Sequence, residues 1–543
     1  MKTAELIGRT LVESGVDHVF GVVGSGNFDV TDAMAKAGAR YVAARHEGGA
    51  ATMADAYARM TGGVAALTVH QGCGLTNAMT GITEAAKSRT PMVVLAAEAT
   101  QPLSNFYVDQ TALAESVDAV AMRVDDSATA RHTTRLAVQT ALADRRVVLL
   151  NLPLEVQEAN APDQVEPATS VVTAQDSQAT AETDVRRLAD VVRTAERPIF
   201  VAGRGSRGPG CGEALEALAD QCGALLATSA VAKGLFNGNP WSLDVSGGFA
   251  SPLTADLIKG ADLIVGWGCA LNMWTMRHGR LIADEATVVQ VDLDADALGA
   301  HRDIAFGVVG DVRRTAEAVS DELCGDTFPG YRTDQLGDDI AAHNAWRDVP
   351  YDDAGTGERI DPRTLCLALD ELLPIERVLG VDSGNFMGYP SMFLRVPDEF
   401  GFCFTQAFQS IGLGLATTIG AALARPDRLP IAALGDGGAL MSAAELETVA
   451  RLGIPMVVLI FNDQAYGAEV HHFHGRSLDS VTFPDTDFAA IGRGYGYDAI
   501  TVRNRDDLAP VADWLAERSR PLLIDAKVVA DEPSWWLAEA FGH

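Results

Sequence analysis

The chain has 543 residues, 48% of them apolar and 21% charged, with a formal net charge of −31. Such a length suggests about three or four globular domains, the apolar fraction supplies several cores, and the acid excess repels phosphate backbones and so argues against nucleic acid as a partner. No apolar run approaches the ~18 residues needed to span a bilayer, and seven scattered cysteines with no Cys-x-x-Cys pair predict reduced thiols in a cytoplasmic protein, not a disulfide framework or a zinc knuckle.

The first 15 residues show helical spacing of apolar residues, with Thr3 as the expected N-cap. They lack the apolar core of a signal peptide. Strands are predicted at Val16–Val23, Val64–Val69 and Met92–Ala96, with a helix at Leu75–Ser88. The stretch His46–Gly62 opens with Glu47 and continues as an alanine-rich helix. Alone, a glutamate at a helix start is a partner for the helix dipole. Near-continuous apolar strands between amphipathic helices mean a parallel sheet covered on both faces. Residues 160–184, rich in Ala, Thr, Gln, Asp and Pro, mark a linker. A second α/β unit starts at Arg197, where Gly203-Arg204-Gly205-Ser206-Arg207-Gly208 matches G-x-G-x-x-G after a strand. The next strand, Ala224–Thr228, ends in Ser229-Ala230-Val231 with no acid to take a ribose, so NAD is not expected. Residues 336–357 look like a second linker, and a third unit begins near Asp361. The expected fold is α/β, with three doubly wound parallel-sheet domains at 1–165, 185–335 and 358–543.

Chemistry concentrates in the third unit. An apolar strand, Leu429–Leu434, runs into Gly435-Asp436-Gly437-Gly438, and a helical pattern spans Ala439–Leu452. A second strand, Met456–Phe461, runs into Asn462-Asp463-Gln464-Ala465-Tyr466-Gly467. Glycines at a strand end let the backbone approach an anion, and a helix start offers unpaired N–H groups. A carboxylate beside a phosphate is repelled unless a cation lies between them. Mg²⁺ suits that place because it takes carboxylate and phosphate oxygens together. Adjacent parallel strands would bring Asp436 and Asp463 to one carboxyl edge, where open α/β sheets bind ligands.

Gly435-Asp436-Gly437, a gap of some two dozen residues and then Asn462-Asp463 resembles the signature of thiamine-diphosphate-dependent enzymes, the family of benzoylformate decarboxylase, acetolactate synthase and pyruvate decarboxylase. The resemblance implies thiamine diphosphate and Mg²⁺ as cofactors, with Asp436, Asp463 and the Ala465 carbonyl on the metal. Asp463 departs from the family's Asn, keeping an oxygen ligand and adding a charge; a one-residue shift would make Asn462 the ligand instead. Gly435, Gly437, Gly438, Tyr466 and Gly467 complete the implied cofactor loops. Ser383 and Asn385 resemble diphosphate donors, and Ile411, in Gln409–Gly414, resembles the residue that props the cofactor in a bent shape. Upstream, His46–Gly62 resembles the segment whose glutamate, here Glu47, hydrogen-bonds the aminopyrimidine ring and activates the thiazolium carbon. Ser25 and His70 lie where benzoylformate decarboxylase carries a serine and a histidine, suited to proton transfer. His278 resembles its second histidine and Gln110 a position facing the substrate, while His471, His472 and His474 follow the metal loop.

The resemblance further implies decarboxylation of a 2-oxo acid, or carboligation of its acyl unit to an aldehyde or second 2-oxo acid. It implies a homodimer or homotetramer with active sites at the subunit interface. The alternatives are an acetolactate-synthase-like carboligase, with or without FAD on the central domain, and a 2-hydroxyacyl-CoA lyase, although no nucleotide pocket for CoA is recognisable.

Overall fold

The computed structural model describes residues 1–162, 180–473, 475–530 and 534–537. Three six-stranded sheets follow one another along it. The first holds β1 (His18–Gly21), β2 (Arg40–Ala43), β3 (Ala65–Val69), β4 (Met92–Glu98), β5 (Val120–Arg123) and β6 (Val147–Pro153), in the order β2-β1-β3-β4-β6-β5. The second holds β7 (Pro198–Ala202), β8 (Leu225–Thr228), β9 (Ser242–Val245), β10 (Leu263–Trp267), β11 (Thr287–Asp292) and β12 (Phe306–Val309), in the order β12-β11-β10-β7-β8-β9. The third holds β13 (Arg377–Val381), β14 (Phe402–Phe404), β15 (Leu429–Gly435), β16 (Val457–Asn462), β17 (Asp498–Val502) and β18 (Leu522–Lys527), in the order β14-β13-β15-β16-β18-β17.

All these strand pairings are parallel. The central strands β3, β7 and β10 are buried along their whole length, which a sheet covered on both faces requires. The three doubly wound sheets are the architecture expected from the sequence. The outer two share one strand order. In each, the order reverses direction beside the first strand. The carboxyl ends of β1 and β3, and of β13 and β15, therefore flank a crevice of the kind where such sheets take ligands.

The outer units are packed together. Helix Glu47–Thr61 lies against helix Gly414–Ala424, and Phe20, Leu67, Ile419 and Val449 share one core. Glycine allows this approach, since a Cβ on Gly420 would stand 2.2 Å from the Met53 carbonyl. A buried ion cluster reinforces the seam. Arg59 bonds Asp55 at 2.6 Å and Glu84 at 2.8 Å, and Glu84 accepts the N–H groups of Ala407 and Phe408. The one guanidinium is shared by two carboxylates, and the two backbone N–H donors satisfy Glu84 further, so neither acid is buried unpartnered.

Some local expectations are corrected. Lys2, not Thr3, occupies the N-cap, and the Thr3 hydroxyl donates to the Ala159 carbonyl at 3.0 Å. The supposed linker at 336–357 contains most of a helix, Asp334–His343, capped by Thr333 and anchored by buried Ile340. The helical pattern at Ala439–Leu452 is two helices, Asp436–Met441 and Glu445–Leu452. Most of the other linker, residues 163–179, lies outside the described residues. Among those described, no helix is long and apolar enough to cross a membrane. All seven cysteines are free thiols.

Candidate active site

At the first crevice, the turn after β1 carries Ser25 into solvent. Buried Asn27 shapes that turn: its Oδ1 accepts the Gly24 N–H at 2.8 Å and its Nδ2 donates to the Thr68 hydroxyl on β3. His70 follows β3. Its Nδ1 accepts the Gly26 N–H at 3.3 Å, and its ring meets the edge of Phe106. That contact places the proton of a neutral ring on Nε2. Burial lowers the His70 pKa from its ordinary value, and the nearby Glu47 carboxylate pulls it back up.

Glu47 opens its helix, with His46 as N-cap. Its Oε2 accepts from Asn77 Nδ2 at 3.1 Å. Buried Glu445 of the third unit accepts the N–H groups of Arg45 and His46, both at 3.0 Å, and so fixes the chain entering that helix. The reason for the break before Glu445–Leu452 is thereby visible. Gly49 must lack a Cβ, which would stand 2.5 Å from Glu445 Oε1. Gln110 is near but committed: its Oε1 accepts the Gly72 N–H and its Nε2 donates to Asn151 at 2.8 Å. It holds the loop after His70 and is itself buried.

At the second crevice, buried Asp382 follows β13 and accepts the N–H groups of Ser383, Gly412 and Leu413. Burial pushes its pKa up to about 6 against these backbone donors. Asp382 thereby fixes the turn carrying half-buried Ile411. On the neighbouring strands, Gly435 pairs with Phe461, which brings Asp436 and Asp463 to one edge. Burial pushes Asp436 up to about 6. Asp463 rises to about 7, through burial first and then the charge of Asp436. Asn462 points elsewhere, donating to Asp525 at 3.0 Å.

The residues fit a divalent ion and a diphosphate. Two carboxylates that repel each other in a partly buried cleft are stabilised by a cation between them. The adjoining backbone is packed too closely against its neighbours to carry side chains. A Cβ on Gly437 would stand 2.4 Å from the Tyr466 ring, one on Gly438 2.1 Å from Asp382 Oδ2, and one on Gly467 2.5 Å from Asp463 Oδ2. Asn385, after β13, accepts the Ser534 N–H on its Oδ1 at 3.0 Å. Its Cβ adjoins Gly467, where an added Cβ would stand 3.2 Å away.

The structure thus brings Ser25, Glu47 and His70 together, and separately Asp382, Ser383, Asn385, Ile411, Asp436 and Asp463. Among the described residues no hydrogen bond or ion pair joins the two groups. His278 is exposed on the central unit, in the segment whose Arg277 stacks over Trp535 at 4.2 Å. His471 and His472 end the helix after the second loop, and His474 lies outside the described residues. Sequence reasoning missed Asn77 and Glu445, which hold Glu47 and its helix from other segments with no local pattern to announce them.

Parallel sheets in this order, with paired crevices at their strand ends, define a three-domain α/β protein with two candidate ligand clefts. Models of the thiamine pyrophosphate enzymes match in order: the N-terminal binding domain at residues 1–122, the central domain at 185–319 and the C-terminal binding domain at 382–526. The chain belongs to the thiamine pyrophosphate enzyme family and carries out thiamine-diphosphate-dependent carbon–carbon bond chemistry. It is 27% identical to a sulfoacetaldehyde acetyltransferase of Alcaligenes xylosoxydans, over 94% of this chain and 89% of that one. It is 24% identical to a probable acetolactate synthase large subunit of Methanococcus aeolicus, over 97% and 92%. In fold it resembles the thiamine diphosphate-dependent 4-hydroxybenzoylformate decarboxylase of Rhodococcus jostii, with a TM-score of 0.81 and 22% identity over 98% of this chain and 100% of that one.

Proposed function

We propose that the enzyme acts on a 2-oxo acid, releasing CO₂ or passing the acyl unit to an acceptor carbonyl, at a site built from two copies of the chain. Thiamine diphosphate, when bound, supplies the carbon nucleophile and electron sink for this chemistry. In this reading Asp436 and Asp463 hold Mg²⁺ against the diphosphate, with the Ala465 carbonyl as a third ligand. Ser383, Asn385 and the glycine backbone would receive the phosphate oxygens, and Ile411 would support the cofactor rings. Glu47, oriented by Asn77, would be the carboxylate partner of the aminopyrimidine ring. His70 offers Nε2–H to the substrate, and Ser25 lies beside it for the substrate carboxylate.

The observation that carries the reading is the pair of complementary half-sites, each at a strand-order reversal and each incomplete alone. Exposed apolar side chains flank both: Leu103, Phe106 and Tyr107 at the first, Leu440 and Met441 at the second. A second copy covers them in this reading, giving a homodimer or a homotetramer.

A carboligase outcome is favoured by the full-length likeness to an acetyltransferase and an acetolactate synthase. FAD is not favoured. On the central unit the Gly205 N–H is spent on the Gly268 carbonyl at 3.0 Å, and a Cβ on Gly203 would stand 2.3 Å from that same oxygen. The turn that would face a pyrophosphate is closed by the loop after β10.

A panel of 2-oxo acids, assayed for CO₂ release with and without acceptor aldehydes, tests the reaction. Glu47→Gln is expected to bind thiamine diphosphate normally and to lose about 10²–10⁴-fold in turnover, the range for a positioned proton-transfer group. Unchanged turnover would remove Glu47 from the mechanism.

A further inference from the structure

Arg359 takes no part in the scheme above, yet it stands behind the acidic loop. The chain enters the third unit here. Ile360 bridges Val528 in parallel and donates its N–H to the Lys527 carbonyl at 2.8 Å, at the carboxyl end of β18. With its backbone fixed, the Arg359 guanidinium donates to the Val528 carbonyl at 2.8 Å and the Asn462 carbonyl at 3.3 Å. Asn462 immediately precedes Asp463. Among the described residues Arg359 forms no ion pair. Its charge therefore acts on the loop it supports, at the carbonyl of the residue that immediately precedes Asp463. The other nearby cation, Lys527, is already committed to Asp485 at 2.5 Å and Asp525 at 3.0 Å.

A pair of carboxylates facing a diphosphate carries one negative charge more than the Asp and Asn of the family pattern. One buttressing cation cancels it. We propose that Arg359 is a positioning residue that offsets the charge of Asp463, so that the cleft accepts a divalent ion and an anionic diphosphate together. This rests on the reading of Asp436 and Asp463 as metal ligands.

The sign of the effect separates this role from a structural one. Without the arginine charge the carboxylate pair is more negative. It attracts a lone divalent ion more strongly and repels the diphosphate more strongly. General damage to the loop would weaken both. Arg359→Gln keeps an amide donor for the two carbonyls and removes the charge, Arg359→Lys keeps the charge, and Asp463→Asn removes the extra negative charge.

The test uses the full chain and its variants, with two calorimetric titrations: Mn²⁺ without cofactor, and thiamine diphosphate at saturating Mg²⁺. Arg359→Gln is expected to bind Mn²⁺ about threefold tighter and thiamine diphosphate about tenfold weaker, as for a charge pair acting through a half-buried site. Adding Asp463→Asn should return cofactor affinity to within about twofold of the parent, and Arg359→Lys should stay within that margin. The inference is overturned if Arg359→Gln weakens both ligands together, or costs the same factor beside Asp463→Asn as beside Asp463. Cofactor binding by the parent enzyme that needs no divalent ion would overturn the metal reading itself, and the inference with it.

Discussion

A hydrogen bond of 3.1 Å from Asn77 decides which way the Glu47 carboxylate faces. Asn77→Ala leaves Glu47 in place with its orientation unsupported. Turnover should fall about tenfold, the worth of one hydrogen bond to a charged group, while cofactor affinity changes little; steady-state kinetics beside calorimetry reads both. His70 gives a pH signature. Burial lowers its pKa, so the neutral ring persists further toward acid than a free histidine, whose pKa is about 6.5. Protonation in the folded enzyme therefore requires pH below that value. The acid limb of kcat/KM is expected there, and His70→Ala should abolish that limb as well as reduce activity. The stability linkage has the matching sign: as pH falls through about 6.5 the unfolded chain takes up this proton first, so the His70 contribution to stability is lost toward acid.

Helix Glu47–Thr61 meets helix Gly414–Ala424 through Gly420, with no room for a methyl group against the Met53 carbonyl. Gly420→Ala should cost about 1–3 kcal/mol in chemical denaturation by overpacking. A shift toward greater stability would show that the seam can relax. The short segment Ser534–Leu537 supports the second crevice in a similar way, since Trp536 Nε1 donates to the Asn385 carbonyl at 2.9 Å and Ser534 holds the Asn385 amide. Truncation after Pro533 should weaken thiamine diphosphate binding about tenfold, the equivalent of one to two hydrogen bonds.

These elements also show what a sequence can disclose. Strands β4, β15 and β16 stand out because burial on both faces demands near-continuous apolar runs. Asp436 and Asp463 stand out because each follows such a run. Helix Asp334–His343 does not, since Ile340 is its one buried residue and its surface is acidic. The break between Met441 and Glu445 contains neither Gly nor Pro. It is imposed by Glu445 reaching the N–H groups of Arg45 and His46, about 400 residues away in sequence. Gln110 shows what residue type alone does not disclose: both ends of its side chain are bonded within the protein.

At the scale of the molecule, what matters is how two half-sites on one chain become a working centre. Glu47 and His70 occupy the crevice of the first sheet, Asp436 and Asp463 that of the third, and each crevice is edged by apolar side chains exposed on a single copy. If the centre forms between copies, two inactive variants can repair one another. In a mixed dimer of Glu47→Gln with Asp436→Ala, one interface would join both lesions and be dead. The other would join an intact Glu47 from the second variant to an intact Asp436 from the first. Unfolding and refolding the variants together should therefore restore about one quarter of the parental activity, because half of the randomly paired molecules are mixed and each has one good site. Each variant refolded alone should stay inactive. A centre assembled within one chain predicts no recovery at any mixing ratio, since every chain then carries a lesion in its own site. Sedimentation measured on the same mixtures confirms that pairing has occurred, so an absent recovery would count against the shared site and not against the mixing.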